Sequence, residues 1–381
     1  MAVDFSKEEL LRYSRQLILP EVGLQGQEKL KSSAVLVVGV GGLGSPVALY
    51  LAAAGVGRIG LVDFDRVELS NLNRQVIHST NDIGRFKVDS AAEKMQAINP
   101  DIRIEKFPEP LTVKNGLEIS QEYQIIVDCT DNYPARYLVN DLAVLSKKPV
   151  VAGAVFQFEG QVGILDARHG PCFRCLFPEP PVDEIAPGCS QIGTVGVLPG
   201  IVGLFQASET IKLILGLGDS LTGKMVVIDV LGPTFETIPI KKRADCPICG
   251  DHPSITRLMD YSVTCTQGVN GGAGSENDLV SPRELAGMIE RKEDFRLVDI
   301  RDEIETKFAE IPGAEHISLK EITSHPALID KKMRTVFFCR TGNRSAWLVR
   351  LLKNSGYKNI QHLQGGINAW VSEIDPKQDR Y

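Results

Sequence analysis

Residues 34–65 read AVLVVGVGGLGSPVALYLAAAGVGRIGLVDFD. Val35 to Val38 form a continuous apolar run, the pattern of a parallel strand covered on both faces. Gly39, Gly41, Gly42 and Gly44 follow at once, then an apolar helical stretch. Gly57 to Asp63 leads into a second strand. Strand, glycine turn, helix, strand predicts a βαβ unit whose turn lets a phosphate approach a helix N-terminus. Asp63 falls near the spacing of a ribose-binding acid. By itself this pattern reads equally well as a dinucleotide site.

The same alternation continues outward. YQIIVDCTDN (123–132), KPVVAGAV (148–155) and VGILDA (162–167) read as further strands. Together they predict an α/β fold, a doubly wound parallel sheet through about residue 165. IVGLFQASETIKLILGLG (201–218) carries helix signals, and KMVVIDVL (224–231) reads as another strand. From Thr264 the texture changes to TCTQGVNGGAGSEND, rich in Gly, Ser and Asn, which reads as a flexible linker. A second, smaller α/β domain follows. SPRELAGMIE (281–290) opens a helix with Pro in its first turn, FRLVDIRD (295–302) and TVFFCR (335–340) are strands, and RSAWLVRLLKNSG (344–356) is a helix closed by Gly356. The expected organisation is residues 1–255, a linker at 256–277, and residues 278–381.

Composition narrows the class. The chain has 381 residues, 43% hydrophobic and 24% charged, with a net charge of −6. That balance is ordinary for globular protein and speaks against direct nucleic-acid binding. No apolar run approaches the ~18 residues of a membrane helix. MAVDFSKEEL is amphipathic and acidic, unlike a signal peptide, so a cytoplasmic, reducing location is expected. Eight cysteines in such a location suggest metal or redox chemistry rather than disulfides.

Residues around the glycine turn favour a triphosphate over a dinucleotide. SNLNRQ (70–75) supplies Ser70, Asn71 and Arg74, and GRFKVDSA (84–91) puts Lys87 near a helix start. CTDN puts Asp131 and Asn132 at the C-terminal end of a strand, where open sheets bind ligands. Two cations and a carboxylate suit ATP with Mg²⁺. The motifs RYSRQLILP, GVGGLG, LVDFD, SNLNRQ and CTDN, in that order, resemble the MoeB/ThiF family of ubiquitin-activating-enzyme-like adenylyltransferases over about residues 5 to 252. The resemblance implies ATP, Mg²⁺ and adenylation of the C-terminal glycine of a ubiquitin-like sulfur-carrier protein. It also implies that Asp63 binds ribose, that Asn71, Arg74 and Lys87 hold phosphates, and that Asp131 binds Mg²⁺. Arg15 matches the family's arginine that reaches the partner subunit's ATP, which implies a homodimer. From spacing alone, Arg12 and Arg15 are simply neighbours on a helix face.

PCFRC and CPICG give two pairs, Cys172 with Cys175 and Cys246 with Cys249. Each two-residue spacer lets two thiolates grip one tetrahedral Zn²⁺, and four thiolates close the site to chemistry. Cys189 lies between the pairs in a Pro- and Gly-rich stretch without periodicity, which reads as a mobile loop. In relatives this region crosses the active site and can carry a nucleophilic cysteine. Cys129 reads as core, Cys265 as incidental, and the six histidines show no metal spacing.

CRTGNRS (339–345) puts Cys339 after a buried strand and before a helix. Backbone N–H groups, Arg340 and Arg344 there favour a thiolate. A phosphatase loop needs five residues between its Cys and Arg; here Thr341, Gly342 and Asn343 bring the gap to four with Arg340. With LVDIRD, IPGA and GGINAW, this segment resembles a rhodanese domain over about residues 278 to 378. That implies a persulfide on Cys339, with a cysteine desulfurase as its expected donor. Ala309 and Glu310 depart from the Gly-His usual before IPGA. The two resemblances together imply conversion of an adenylated carrier to its thiocarboxylate. Carriers for molybdopterin, thiamine, cysteine or tRNA thiolation all fit. An NAD-dependent oxidoreductase with a rhodanese tail, and a non-catalytic module that binds a ubiquitin-like protein, stand as alternatives.

Overall fold

The computed structural model describes residues 4–179, 193–261 and 278–378. They form two compact units, divided near the 262–277 segment.

The first unit is built on an eight-stranded sheet. Its strands are β1 (Ala34–Val38), β2 (Arg58–Val62), β3 (Arg103–Phe107), β4 (Ile125–Asp128), β5 (Val150–Phe156), β6 (Glu159–Leu165), β7 (Lys224–Asp229) and β8 (Thr234–Pro239). The order is β3-β2-β1-β4-β5-β6-β7-β8. All five residues of β1 are buried. Val35 and Val37 join one core cluster, Leu36 and Val38 the other, so helices cover both faces as the unbroken apolar run requires. Strand order reverses between β1 and β4, which makes a topological switch point at their C-terminal ends.

The sheet departs from expectation after β5. Strands β1 to β5 are parallel, but β6 pairs antiparallel with β5, and β7 and β8 continue antiparallel. Only Gln157 and Phe158 separate β5 from β6, with Gln157 at φ 52. A parallel crossover needs a dozen or more residues, so two allow only a hairpin. The Val197–Leu215 helix is the one described helix long and apolar enough to cross a membrane. Here its Leu198 and Val202 pack in the core with Val162 and Ile164 of β6.

The chain stays on the first unit beyond residue 255. Tyr261 is 4% exposed and its hydroxyl donates to Asp141, on the Tyr133–Leu145 helix. Asp141 is also paired with Arg174 at 2.8 Å, so residues 256–261, expected in the linker, end on a buried ion pair.

The second unit carries β9 (Leu279–Val280), β10 (Arg296–Asp299), β11 (Glu315–His316), β12 (Thr335–Phe338) and β13 (Ile360–Leu363), in the order β11-β10-β12-β13-β9, all parallel. Phe337 and Phe338 of β12 are fully buried on opposite faces. Each is worth roughly 1.5–3 kcal/mol of apolar burial.

Candidate functional site

At the sheet's C-terminal edge, register alone gathers the nucleotide-type residues. Val38 lies opposite Val62 and Asp128, so the glycine turn, Asp63 and Asp131 leave the sheet side by side. The turn is tight. Gly39 has φ +92, and a β-carbon at Gly44 would collide with the Gly39 carbonyl. Asp63 spans the turn, accepting from Val40 N–H at 2.8 Å and from Asp65 N–H at 2.9 Å. Burial raises its pKa despite the nearby Lys87 charge.

The remaining expected residues divide into two groups. Some lie at the turn. The Arg74 side chain passes beside Gly42, its guanidinium donating to the Ser70 carbonyl at 2.8 Å and to Asn73 at 3.0 Å. Asp131 is exposed, with only the Asn132 amide at 3.3 Å among its hydrogen-bond partners in the described residues. Others already have structural work. Asn132 caps its helix by accepting from Ala135 N–H at 3.0 Å. Asn71 accepts from Glu68 N–H at 3.1 Å. Lys87 is buried and ion-paired with Asp65 at 2.7 Å. Asp65 ends the LVDFD motif and was not singled out from sequence; its partner lies 22 positions on.

Arg12 and Arg15 differ sharply. Arg12 is tied to the Ile98 carbonyl at 2.5 Å and to Asp101 at 3.6 Å. Arg15, on the Ser14–Leu17 helix, is exposed and has no hydrogen bond or ion pair among the described residues. Leu11 and Ile18, 67% and 69% exposed, lie in the same short segment.

The four cysteines of the two pairs converge. Their sulfurs all lie within 4.8 Å of one another, with Cys172 to Cys246 at 3.6 Å and Cys175 to Cys249 at 3.4 Å. The Cys175 sulfur also accepts Arg243 N–H at 3.4 Å. Hydrogen bonds from Cys172 and Cys249 hold the Cys175 thiol below the ordinary cysteine value. Four soft donors packed this closely suit a tetrahedral zinc ion. Cys129 is buried, as core. Cys189 and Cys265 lie outside the described residues.

In the second unit Cys339 is 1% exposed, directly after β12. Its sulfur accepts Gly342 N–H at 3.2 Å and faces the Ser345 hydroxyl at 3.6 Å. Arg344 does not point its charge at the sulfur unopposed. Its guanidinium is forked onto Glu305 at 2.7 and 2.8 Å, so the Arg344 charge acts on Cys339 beside a carboxylate that partly balances it. The donors nearest the sulfur are N–H and O–H dipoles. GGINAW braces the loop from the other side. Ile367 N–H donates to the Cys339 carbonyl at 2.8 Å and Asn368 N–H to the Arg340 carbonyl at 3.1 Å. Gly366, at φ +60, has no room for a β-carbon against Cys339. The LVDIRD motif works through Arg301, fully buried, which pairs with Asp299 and donates to the Ala309 carbonyl at 2.7 Å. At the departure, Glu310 exchanges two hydrogen bonds with Gln378. Glu305 and Gln378 were not found from sequence, because their partners are set by the fold and not by a local motif; Ser345 closes the CRTGNRS motif but was given no role.

Comparison with known proteins places both units. The ThiF family model matches residues 13–248 and the rhodanese-like domain model residues 281–373. The chain is 40% identical over 390 residues to the adenylyltransferase and sulfurtransferase MOCS3 of Culex quinquefasciatus, covering 97% of this chain and 89% of that protein. It is 41% identical over 383 residues to a Mycobacterium tuberculosis protein named as a probable adenylyltransferase/sulfurtransferase, MoeZ, covering 99% and 96%. A sulfur carrier protein adenylyltransferase of Thermus thermophilus is 50% identical over 266 residues, 68% of this chain and 98% of that one. Among solved structures, PaaA aligns at TM-score 0.54 and 28% identity, over 63% of this chain and 76% of that chain. Escherichia coli MccB, solved with ATP, aligns at 0.55 and 24%, over 63% and 74%, and shows the fold alone.

Proposed function

Because the chain belongs to the ThiF family and carries a rhodanese-like domain behind it, we propose that it adenylates the C-terminal glycine of a ubiquitin-like sulfur-carrier protein and then converts it to a thiocarboxylate. What supports this most is one chain holding both a nucleotide-type sheet edge and a buried cysteine cradled by loop N–H groups. The carrier carboxylate attacks the α-phosphate of ATP and pyrophosphate leaves. Arg74 and Lys87 hold phosphates, Lys87 by turning from Asp65. Asp63 takes the ribose, with Asn71, Asn132 and Ser70 shaping the turns around it. Asp131 would hold Mg²⁺, which offsets phosphate charge. The terminal sulfur of a Cys339 persulfide then attacks the acyl carbonyl and AMP leaves. The carrier is now joined to Cys339 through an acyl disulfide. The N–H groups of the Cys339 loop stabilise the persulfide anion; its outer sulfur comes from the persulfide of a cysteine desulfurase, which the Cys339 thiolate attacks and whose cysteine leaves as thiolate. Carrier-dependent exchange of labelled pyrophosphate into ATP tests the first half; its absence from folded protein with every candidate carrier would refute it.

A homodimer completes the site. Arg15 is exposed in a segment that also exposes Leu11 and Ile18, apolar surface that a second copy would cover.

Cys189 is proposed to release the product. Its thiolate attacks the Cys339 sulfur, leaving a Cys189–Cys339 disulfide and a free carrier thiocarboxylate; a thiol reductant then restores both cysteines. Cys189→Ser should slow release in the absence of added thiol, and dithiothreitol should restore much of the rate. Unchanged multiple turnover by the variant without reductant, and no Cys189–Cys339 peptide in the wild type, would remove Cys189 from the mechanism.

The four-cysteine cluster is proposed to hold one Zn²⁺ per chain in a structural role. Metal analysis should find it. Chelation should loosen this end of the first unit, since structural zinc contributes an apparent ~10–16 kcal/mol to the folding of such sites. A folded, metal-free protein with four titratable thiols would contradict the assignment.

A further inference from the structure

His78 follows the SNLNRQ motif and plays no part in the chemistry above. It is 7% exposed. Its Nε2 lies 3.1 Å from the Val40 carbonyl in the glycine turn, and its Nδ1 lies 2.9 Å from the Ser90 hydroxyl on the Lys87–Ile98 helix. Val40 is the residue whose N–H already holds Asp63. We propose that His78 is a positioning residue for ATP: its Nε2–H pins the Val40 carbonyl, so that His78 and Asp63 together fix the glycine turn from both ends of one residue.

The tautomer follows from the partners. A carbonyl only accepts, so the Val40 bond requires the proton on Nε2. Nδ1 of the neutral ring then accepts from Ser90. The Ser90 hydroxyl also has Asp82 in reach, but that carboxylate is already held by Ser79 at 2.6 Å, Arg85 at 2.7 Å and Lys94 at 3.2 Å. Donation to Asp82 would put the ring proton on Nδ1 and turn the Nε2 lone pair onto the Val40 carbonyl, a repulsive arrangement. Burial holds the imidazole below its ordinary pKa, against the Val40 bond, and the Lys87 charge acts in the same direction as burial. With the ring neutral, one ring proton remains, and the Val40 carbonyl requires it on Nε2. Elsewhere in the turn, Gly39 N–H donates to the Val62 carbonyl at 2.8 Å and Ser45 N–H to the Gly41 carbonyl at 2.9 Å. Gly41 accepts from Ser45 at 2.7 Å, but among the described residues the Gly41 and Gly42 N–H groups make no hydrogen bond. Those are the donors a phosphate would use.

The inference rests on the ATP reading of the edge, and the test separates the two. Binding of Mg-ATP to the full chain is measured by titration calorimetry for wild type, His78→Gln and His78→Asn. Gln places an N–H where Nε2 stands; Asn reaches only the Nδ1 side. His78→Asn should weaken binding about tenfold, the cost of leaving a buried carbonyl unpaired, while His78→Gln stays within about twofold of wild type. Wild-type protein that binds no Mg-ATP refutes the ATP reading itself. Wild type that binds, with His78→Asn unaffected or His78→Gln equally impaired, overturns the role of His78. Nitrogen NMR of the wild-type ring gives a readout that does not depend on the variants folding: an Nε2–H tautomer is expected, and an Nδ1–H tautomer overturns the proposal.

Discussion

Cys339→Ala should abolish thiocarboxylate formation, by more than about 10³-fold, the scale seen when a nucleophile is removed, and leave pyrophosphate exchange at the wild-type rate. The reason is local. Cys339 is the only thiol in its cradle among the described residues, and the nearest hydroxyl, Ser345, cannot carry a persulfide. The separation of effects follows from the architecture. Cys339 belongs to a unit with its own five-stranded sheet and two core clusters, none of whose residues comes from the first unit. The side chain contributes one small buried group, so its truncation costs little packing. Sulfur transfer and adenylation are assayed on the same preparation. Loss of exchange in folded Cys339→Ala would show that the two chemistries share a site.

The second large effect is at Arg15. Arg15→Ala should lower adenylation by about 10³- to 10⁵-fold, the range of an arginine that stabilises a phosphoryl transition state, without lowering stability. Among the described residues nothing in its own chain holds it, in contrast to Arg12, whose bonds to Ile98 and Asp101 are structural. Asp131→Ala should be similarly inactive. Mixing the two inactive variants, with subunit exchange confirmed, places one intact site in each mixed dimer, and exchange activity should return. If it does not, Arg15 acts within its own chain or not at all.

The sequence carried the local pattern well. The apolar run before GVGGLG placed β1 and the switch point, and the two short cysteine spacers foretold a cluster whose halves lie about 70 positions apart. What it did not carry was pairing chosen by the fold. FQFEG lacks the Asn-Gly signature of a tight hairpin, so the reversal at β6 went unread. Glu305 and Asp65 are ordinary surface acids by composition; only the folded chain turns them onto Arg344 and Lys87. Leu258 and Tyr261, in a short stretch without helix or strand periodicity, gave no sign that the first unit continues to residue 261. Those departures matter for mechanism. They make the charge on both Lys87 and Arg344 an internally balanced one, so in the proposed mechanism each would reach phosphate or sulfur in competition with its own carboxylate.

The central claim is that one chain turns a carrier's terminal carboxylate into a thiocarboxylate. The most direct measurement is the intact mass of a candidate carrier after incubation with the full chain, Mg-ATP and a persulfide donor. The account predicts replacement of one oxygen by sulfur at the carrier's C-terminus, dependent on ATP and on Cys339. A carrier that reaches the adenylate but acquires no sulfur from a persulfide-loaded Cys339 would contradict it.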